Sequence, residues 1–248
     1  MRIFLAGASG AIGRRLVPLL LHAGHEITGT TRSAETAKDL ERAGVRPAIL
    51  DVFDAGAVTD TMRAANPEVV IHQLTDLPRE FDEARITASY VRNARIRIEG
   101  TRNLIAAAQA AHAYRFVVQS IAFVYSRGGE PHPETDPLDP ADPALAETAK
   151  GAVDMERQVL LAPNIVGIAL RYGFLYGPGT WSETAARKPS VHIDAAAHAA
   201  LLAVTRGAVG SYNIADEGGM VSIAKARNEL GFDPLFRLGS ARACVASH

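Results

Sequence analysis

The chain has 248 residues, enough for one large α/β domain or at most two small ones. With 48% hydrophobic and 21% charged residues and a formal net charge of −1, it can bury a sizeable core and carries neither a basic field for nucleic acid nor a polybasic membrane patch. Its one cysteine, Cys244, permits no internal disulfide and points to a reducing, cytoplasmic setting, and no stretch approaches the roughly 18 apolar residues of a membrane span.

In chain order, the apolar run Ile3 to Ala6 reads as a first strand, too short for a signal peptide, and feeds directly into Gly7-x-x-Gly10-x-x-Gly13. Ile12, Leu16, Leu19, Leu20 and Ala23 then recur at helical spacing, with Pro18 expected to bend the helix and Gly24 to end it. Residues 25–31 read as a second strand, 34–43 as a short helix, 47–52 as a third strand and 58–65 as a helix broken by Asn66-Pro67. Residues 69–74 form a fourth strand, a long helix runs from about 84 to 113, and a fifth strand at 116–120 continues through Tyr125. Residues 127–143, rich in Pro, Asp, Glu and Gly, read as a long surface loop. A helix at 144–161, a strand at 165–170, a helix at 194–205, a strand at 211–215 and a helix at 222–230 complete the series. This alternation predicts a parallel sheet covered on both faces with right-handed crossovers. No repeat and no composition shift divides residues 1–248, so one domain is expected.

Strand, glycine turn and helix in succession are the layout of a dinucleotide site. Glycine permits the tight turn and a close approach to the pyrophosphate, and free N–H groups at the helix start hold the anion. The spacing differs from the better-known Gly-x-Gly-x-x-Gly. Ligands of open α/β sheets lie beyond the carboxyl ends of the strands. The candidate cofactor contacts are therefore Gly7, Ser9, Gly10, Ala11, Ile12 and Gly13 in the loop, and Arg32 and Ser33 after the second strand. Asp51 and Val52 follow the third strand, Gln73, Leu74 and Thr75 end the fourth, and Tyr172 and Gly173 follow the sixth. Thr30-Thr31-Arg32-Ser33 contains no acid for a ribose 2′-hydroxyl, whereas Arg32 and Ser33, aided by Arg14, suit a 2′-phosphate. NADP is expected, with NAD the alternative. Asp51 is read equally as an acceptor for the adenine amino group and as a turn residue, and His72 as a core histidine. The eight histidines show no paired metal spacing, and no Gly-x-Ser-x-Gly elbow is present.

Further motifs stand at Ile98-Glu-Gly100-Thr101-Arg-Asn103-Leu-Ile-Ala-Ala107, Arg171-Tyr-Gly-Phe-Leu-Tyr176-Gly177-Pro178-Gly179, Val191-His192-Ile-Asp194, Tyr212-Asn213-Ile214 and Leu230-Gly231-Phe232-x-Pro234. With the glycine loop they resemble the short-chain dehydrogenase/reductase superfamily, in its NAD-dependent epimerase/dehydratase branch, from the N-terminus to about Pro234. The resemblance implies an α/β fold: a Rossmann-type doubly wound parallel sheet with a small, shortened C-terminal substrate region at about 172–194 and 216–248. It also implies a homodimer formed through the long helix and the helix carrying Lys150.

The family's hydride transfer uses Tyr-x-x-x-Lys with a Ser or Thr, the lysine holding the ribose and lowering the tyrosine's pKa. Lys150, followed by Asp154, fits the lysine, but four residues earlier stands Ala146. The Ser-Ser-x-x-x-Tyr motif reads Ser120-Ile121-Ala-Phe-Val-Tyr125, which leaves Ile121 in the hydroxyl slot and Ser120 beside it. The family's helix asparagine falls at Arg97, with Asn93 one turn earlier on the same face. Tyr125, Tyr172 and Tyr176 are candidate proton donors, and Lys150, Ser120, Tyr176 and Asn93 form the candidate catalytic set. Trp181, Arg187 and the 127–143 loop are candidate lids over a small-molecule substrate. Two readings follow. One is an NAD(P)-dependent epimerase/dehydratase-like oxidoreductase of atypical site, acting on a small carbonyl or alcohol. The other is a non-catalytic NADP-binding or sensing protein.

Overall fold

A computed structural model describes residues 1–78 and 80–239, so Cys244 lies outside the described residues. Seven parallel strands form the main sheet: β1 (Arg2–Ala6), β2 (Glu26–Thr31), β3 (Arg46–Ile49), β4 (Val69–His72), β5 (Arg115–Ile121), β6 (Val166–Tyr172) and β9 (Gly210–Ile214). Their order is β3-β2-β1-β4-β5-β6-β9. The chain builds outward from β1 in one direction, then returns to its other side with β4 and continues, so the order reverses between β1 and β4. Leu5 is registered between Gly29 and Ile71 at that reversal.

Successive residues of a strand face opposite sides of a sheet. Ile3 and Leu5 enter one core with Leu16 and Leu20 of α1 (Ala11–His22) and the alanines of α7 (Ile193–Leu202). Phe4 and Ala6 enter the other, with Met62 of α3 (Ala55–Ala65), Leu104 of α5 (Thr101–Ala110) and Met155 of α6 (Ala146–Leu160). α2 (Ala34–Arg42) follows β2 and is capped by Ser33, whose Oγ accepts from Thr36 N–H.

Several predicted boundaries move. α3 starts earlier than expected because Asp54 caps it, accepting from Ala57 N–H at 3.0 Å. The third strand stops at Ile49, so Asp51 and Val52 sit in the turn beyond it. The long helix is three pieces: α4 (Glu83–Arg95), a π turn at Ile96–Gly100, and α5. A π turn shifts the helix face by one residue over a single turn, too short a stretch for periodicity to single out. The fifth strand ends at Ile121, where its partner β6 ends at Tyr172, and the stretch up to Tyr125 leaves the sheet. The last helix narrows to a π turn at Ala226–Leu230. A small parallel pair, β7 (Phe174–Tyr176) with β8 (Ser190–His192), was not expected, since three-residue strands carry too few positions to show alternation. α1 runs through Pro18 as one helix. Among the described residues no helix is long and apolar enough to cross a membrane, and no group of ligating side chains is placed to hold a metal.

Candidate functional site

The glycine loop joins β1 to α1 at the point of strand reversal. Gly7 adopts φ +94°, and a Cβ there would lie 2.8 Å from the Gln73 backbone, so β4 and the loop are in direct contact. A Cβ on Gly13 would lie 2.2 Å from the Gly7 carbonyl oxygen, which is how α1 starts so close to the strand it leaves. Gly10 caps α1 with no side chain of its own, and the first turn contains no acid. The N–H groups that open a helix have no intrahelical partner, so Ala11, Ile12 and Gly13 present an uncapped, positive end that fits a pyrophosphate. Thr30 Oγ1 accepts from Gly7 N–H at 3.3 Å and ties the loop to β2, a contact that no sequence pattern announces. Ser9 is half-buried at the rim.

Beyond β2, the Arg32 side chain is 72% exposed, with Asp76 its nearest carboxylate at 3.8 Å. Asp76 is held more tightly by Arg92, at 2.7 Å, which leaves the Arg32 guanidinium open to an anion. Ser33 already caps α2 through its oxygen lone pair, so its hydroxyl proton remains to be donated. Asp51 Oδ1 accepts from Phe53 N–H at 3.0 Å, the turn role weighed for it, and Val52 presents its carbonyl to Asn103 at 2.9 Å.

At the ends of β4 and β6, polar groups gather without partners. Both amide atoms of Gln73 and the Tyr172 hydroxyl are buried with no well-formed hydrogen bond among the described residues, and the two side chains are neighbours. Burial raises the Tyr172 phenol well above its ordinary range, with Gln73 opposing. Unsatisfied buried polar groups are costly in a finished site, so their convergence beside the glycine loop fits a cofactor's nicotinamide end. Thr75 is exposed, Leu74 donates its N–H to His72 Nδ1 at 3.2 Å, and Gly173 is pressed against Pro189, where a Cβ would be 2.7 Å from the carbonyl oxygen. His72 is buried and pulled down to about 3 by burial and by Arg97, so it is a neutral core histidine, as read.

The family profile described as NAD(P)H-binding matches residues 7–159. The chain belongs to that family, within the short-chain dehydrogenase/reductase superfamily. It is 37% identical over 239 residues to the 3-diazoavenalumate denitrifying reductase of a Streptomyces species, covering 88% of this chain and 76% of that protein. It is 27% identical over 178 residues to the dTDP-4-dehydrorhamnose reductase of Streptomyces griseus, covering 72% of this chain and 51% of that one. In fold it is similar to the UDP-glucose 4-epimerase of Thermotoga maritima, with a TM-score of 0.78, 17% identity, and 96% and 95% of the two chains covered. The cofactor is thus NAD(P), and the cradle, the uncapped α1 terminus and the orphaned Gln73 amide are the features that fit it.

Among the described residues, the catalytic candidates of this NAD(P)H-binding chain make no hydrogen bond to one another. Lys150 is exposed on α6 with no ion pair among the described residues, free to reach a ribose. Ser120, assigned a reacting role from sequence, is fully buried and donates its only hydroxyl proton to Glu156, so it has none left for a substrate. Glu156 also takes a bidentate bond from Arg171, at 2.7 Å to Nη2 and 2.9 Å to Nε, and a bond from Ser211 at 2.9 Å. Asn93 likewise does structural work: Oδ1 accepts from Asp76 N–H at 2.9 Å and Nδ2 donates to Ser89 O at 2.9 Å.

Tyr125 and Tyr176 also have partners. Tyr125 Oη donates to Asn213 at 2.7 Å and accepts from Arg171 at 2.7 Å, and its phenol is raised chiefly by burial. Tyr176 is half-buried, contacts Arg237 at 3.4 Å, and is raised by burial and by Asp216. Arg97, in the family's asparagine position, is buried and pulled down to about 10 by burial. Its Nη1 donates to the Thr148 carbonyl at 2.9 Å and to the Thr148 hydroxyl, so the π turn delivers a cation to the start of α6.

Proposed function

We propose that this chain is an NAD(P)H-dependent reductase whose acceptor becomes neutral on receiving a hydride and so needs no positioned acid. The reading is supported by the sequence positions that, by the resemblance, hold the family's Ser and Tyr and here hold apolar Ile121 and Ala146, and by neighbouring phenols that are buried, raised or tied into hydrogen bonds. Reducing a carbonyl leaves an oxyanion, and a positioned acid there is typically worth about 10²–10⁴ in rate. A cationic acceptor makes no such demand. The similarity to a denitrifying reductase of a diazo compound supports this choice. In an arenediazonium the arriving electron pair forms a C–H bond, the C–N bond breaks with its pair leaving on N₂, and the positive charge disappears with no proton consumed.

NAD(P)H supplies the hydride when bound. Within the chain, Gly7, Gly10 and Gly13 with the N–H groups of Ala11 and Ile12 hold the pyrophosphate. Arg32 and Ser33 take a 2′-phosphate, Lys150 the nicotinamide ribose, and Gln73 and Tyr172 the nicotinamide side. Ile121 keeps the acceptor's surroundings apolar. The test is to supply NADPH or NADH with a benzenediazonium salt and follow nicotinamide oxidation and N₂ release. Enzyme-dependent oxidation with N₂ released in equal amount, and less than about threefold slower in Tyr176→Phe, is the expected result. Oxidation only by carbonyl compounds, lost about a hundredfold in Tyr125→Phe or Tyr176→Phe, would overturn the reading. Firm NAD(P)H binding with no acceptor turned over would return the sensing alternative.

A further inference from the structure

The carboxyl end of the sheet also carries an aromatic layer that neither the cofactor cradle nor the Glu156 network uses. Phe123, just past β5, and Phe174, opening β7, stack with centroids 4.1 Å apart and planes 13° from parallel. The Arg187 guanidinium lies 4.9 Å from the Phe174 ring and 5.2 Å from Phe81. Trp181 meets Phe81 edge to face at 5.9 Å and donates its indole N–H to Pro78 O at 3.0 Å. Three segments that are distant in sequence, after β4, after β5 and between β7 and β8, therefore bring their aromatic residues to one place. Phe123 also lines a cavity of about 220 Å³ bounded by Tyr125, Arg127, His132 and Met220.

A layer that merely pinned loops together would need apolar side chains and would cover them. Here Phe81 is 55% exposed, and Arg187 is exposed with no carboxylate within ion-pair distance among the described residues. Ring faces favour flat partners and cations, and a guanidinium already lying against rings is pre-organised to meet a carboxylate.

We infer that this layer is the substrate site and that it takes a flat aromatic carboxylate, its ring against the phenylalanines and its carboxylate on Arg187. The inference deepens the reductase reading and rests on it for a purpose, but it is tested by binding alone. Trp181 is the chain's only tryptophan, so its emission reports on this site without turnover. Cinnamate, cinnamamide, cyclohexanecarboxylate and UDP-glucose would each be titrated into the protein, with calorimetry as a second measure. Cinnamate should bind saturably, and the amide and the cyclohexyl acid at least about tenfold more weakly. Arg187→Gln should erase the preference for cinnamate over its amide, and Arg187→Lys, which keeps the charge without the flat stack, should retain part of it. The inference is overturned if Arg187→Gln leaves that preference intact, if the cyclohexyl acid binds as well as cinnamate, or if UDP-glucose alone perturbs Trp181. NADPH binding, read from nicotinamide fluorescence in the same samples, separates the two proposals. Its failure beside intact cinnamate selectivity removes the reductase reading only, and the converse removes only the aromatic site.

Discussion

Adding one methyl group at Gly13 would put a carbon 2.2 Å from the Gly7 oxygen and 2.5 Å from the Ala8 oxygen, closer than any real Cβ contact. Gly13→Ala must therefore push α1 from β1 or distort the loop, and it should weaken NADPH binding at least about tenfold in a fluorescence titration. Arg32→Ala, at an exposed side chain, should raise the NADPH Kd by about tenfold and leave that of NADH within twofold, since only the 2′-phosphate distinguishes them. Equal effects on both cofactors would remove the 2′-phosphate assignment. Where residues like these stand was legible in the sequence because the local backbone sets it: a glycine that must turn, or a side chain directly after a strand. The partner of Ser120 was not. The Ser120 hydroxyl is claimed by Glu156, thirty-six positions away, and nothing in the neighbourhood of Ser120 announces that partner.

At the scale of elements, β5, β6, β9 and α6 are tied by one buried carboxylate. Glu156 accepts from Ser120 on β5, Arg171 on β6 and Ser211 on β9, and Arg171 reaches on to Tyr125. Removing one partner of a buried, hydrogen-bonded ion pair typically costs about 3–5 kcal/mol, because the other charge is left uncompensated. Glu156→Gln keeps the shape and removes the charge, so a loss of about 3 kcal/mol in urea unfolding is expected; a change below about 1 kcal/mol would mean that the cluster is not a stabilising joint. Strand and helix identities were readable from periodicity, and so was the parallel alternation. The π turn at Ile96–Gly100 was not, although it sets the facing of Arg97 toward Thr148 and of Gly100 toward Val52, where a Cβ would be 3.2 Å from the valine side chain. Its single inserted residue changes which face is buried without changing the residue types that are buried. The aromatic layer was half visible: Trp181 and Arg187 were candidate lids, but their meeting with Phe81, Phe123 and Phe174 depends on long-range topology.

For the whole molecule, buried histidines couple stability to pH. His72 and His198 are held neutral in the folded protein, pulled down to about 3 and about 4. Burial is the main cause for both; Arg97 adds to it at His72, and at His198 Asp233 opposes while Arg206 adds. His198 also stacks on Phe236 at 3.9 Å, and its Nδ1 has no hydrogen-bond partner among the described residues. In the unfolded chain each histidine returns to its ordinary 6.5. Above that pH both states hold the rings neutral and these groups give stability no slope. As pH falls below about 6.5 the unfolded chain takes up protons that the native state refuses. Stability present above pH 6.5 is therefore lost progressively until the folded values near 4 and 3 are reached. Each pKa unit is about 1.4 kcal/mol, so the fall from pH 7 to pH 5 should cost roughly 2 kcal/mol per histidine, a large share of the 5–15 kcal/mol typical of a native fold. Urea midpoints at constant ionic strength should drop over that interval, and His198→Phe, which preserves the stack on Phe236, should reduce the loss by about 2 kcal/mol, with His25 and His192, also lowered by burial, contributing to what remains. A midpoint that stays level from pH 7 to pH 5 would show that these rings accept protons in the folded state. The native core would then have to supply a counter-charge or open to water beside His72 and His198.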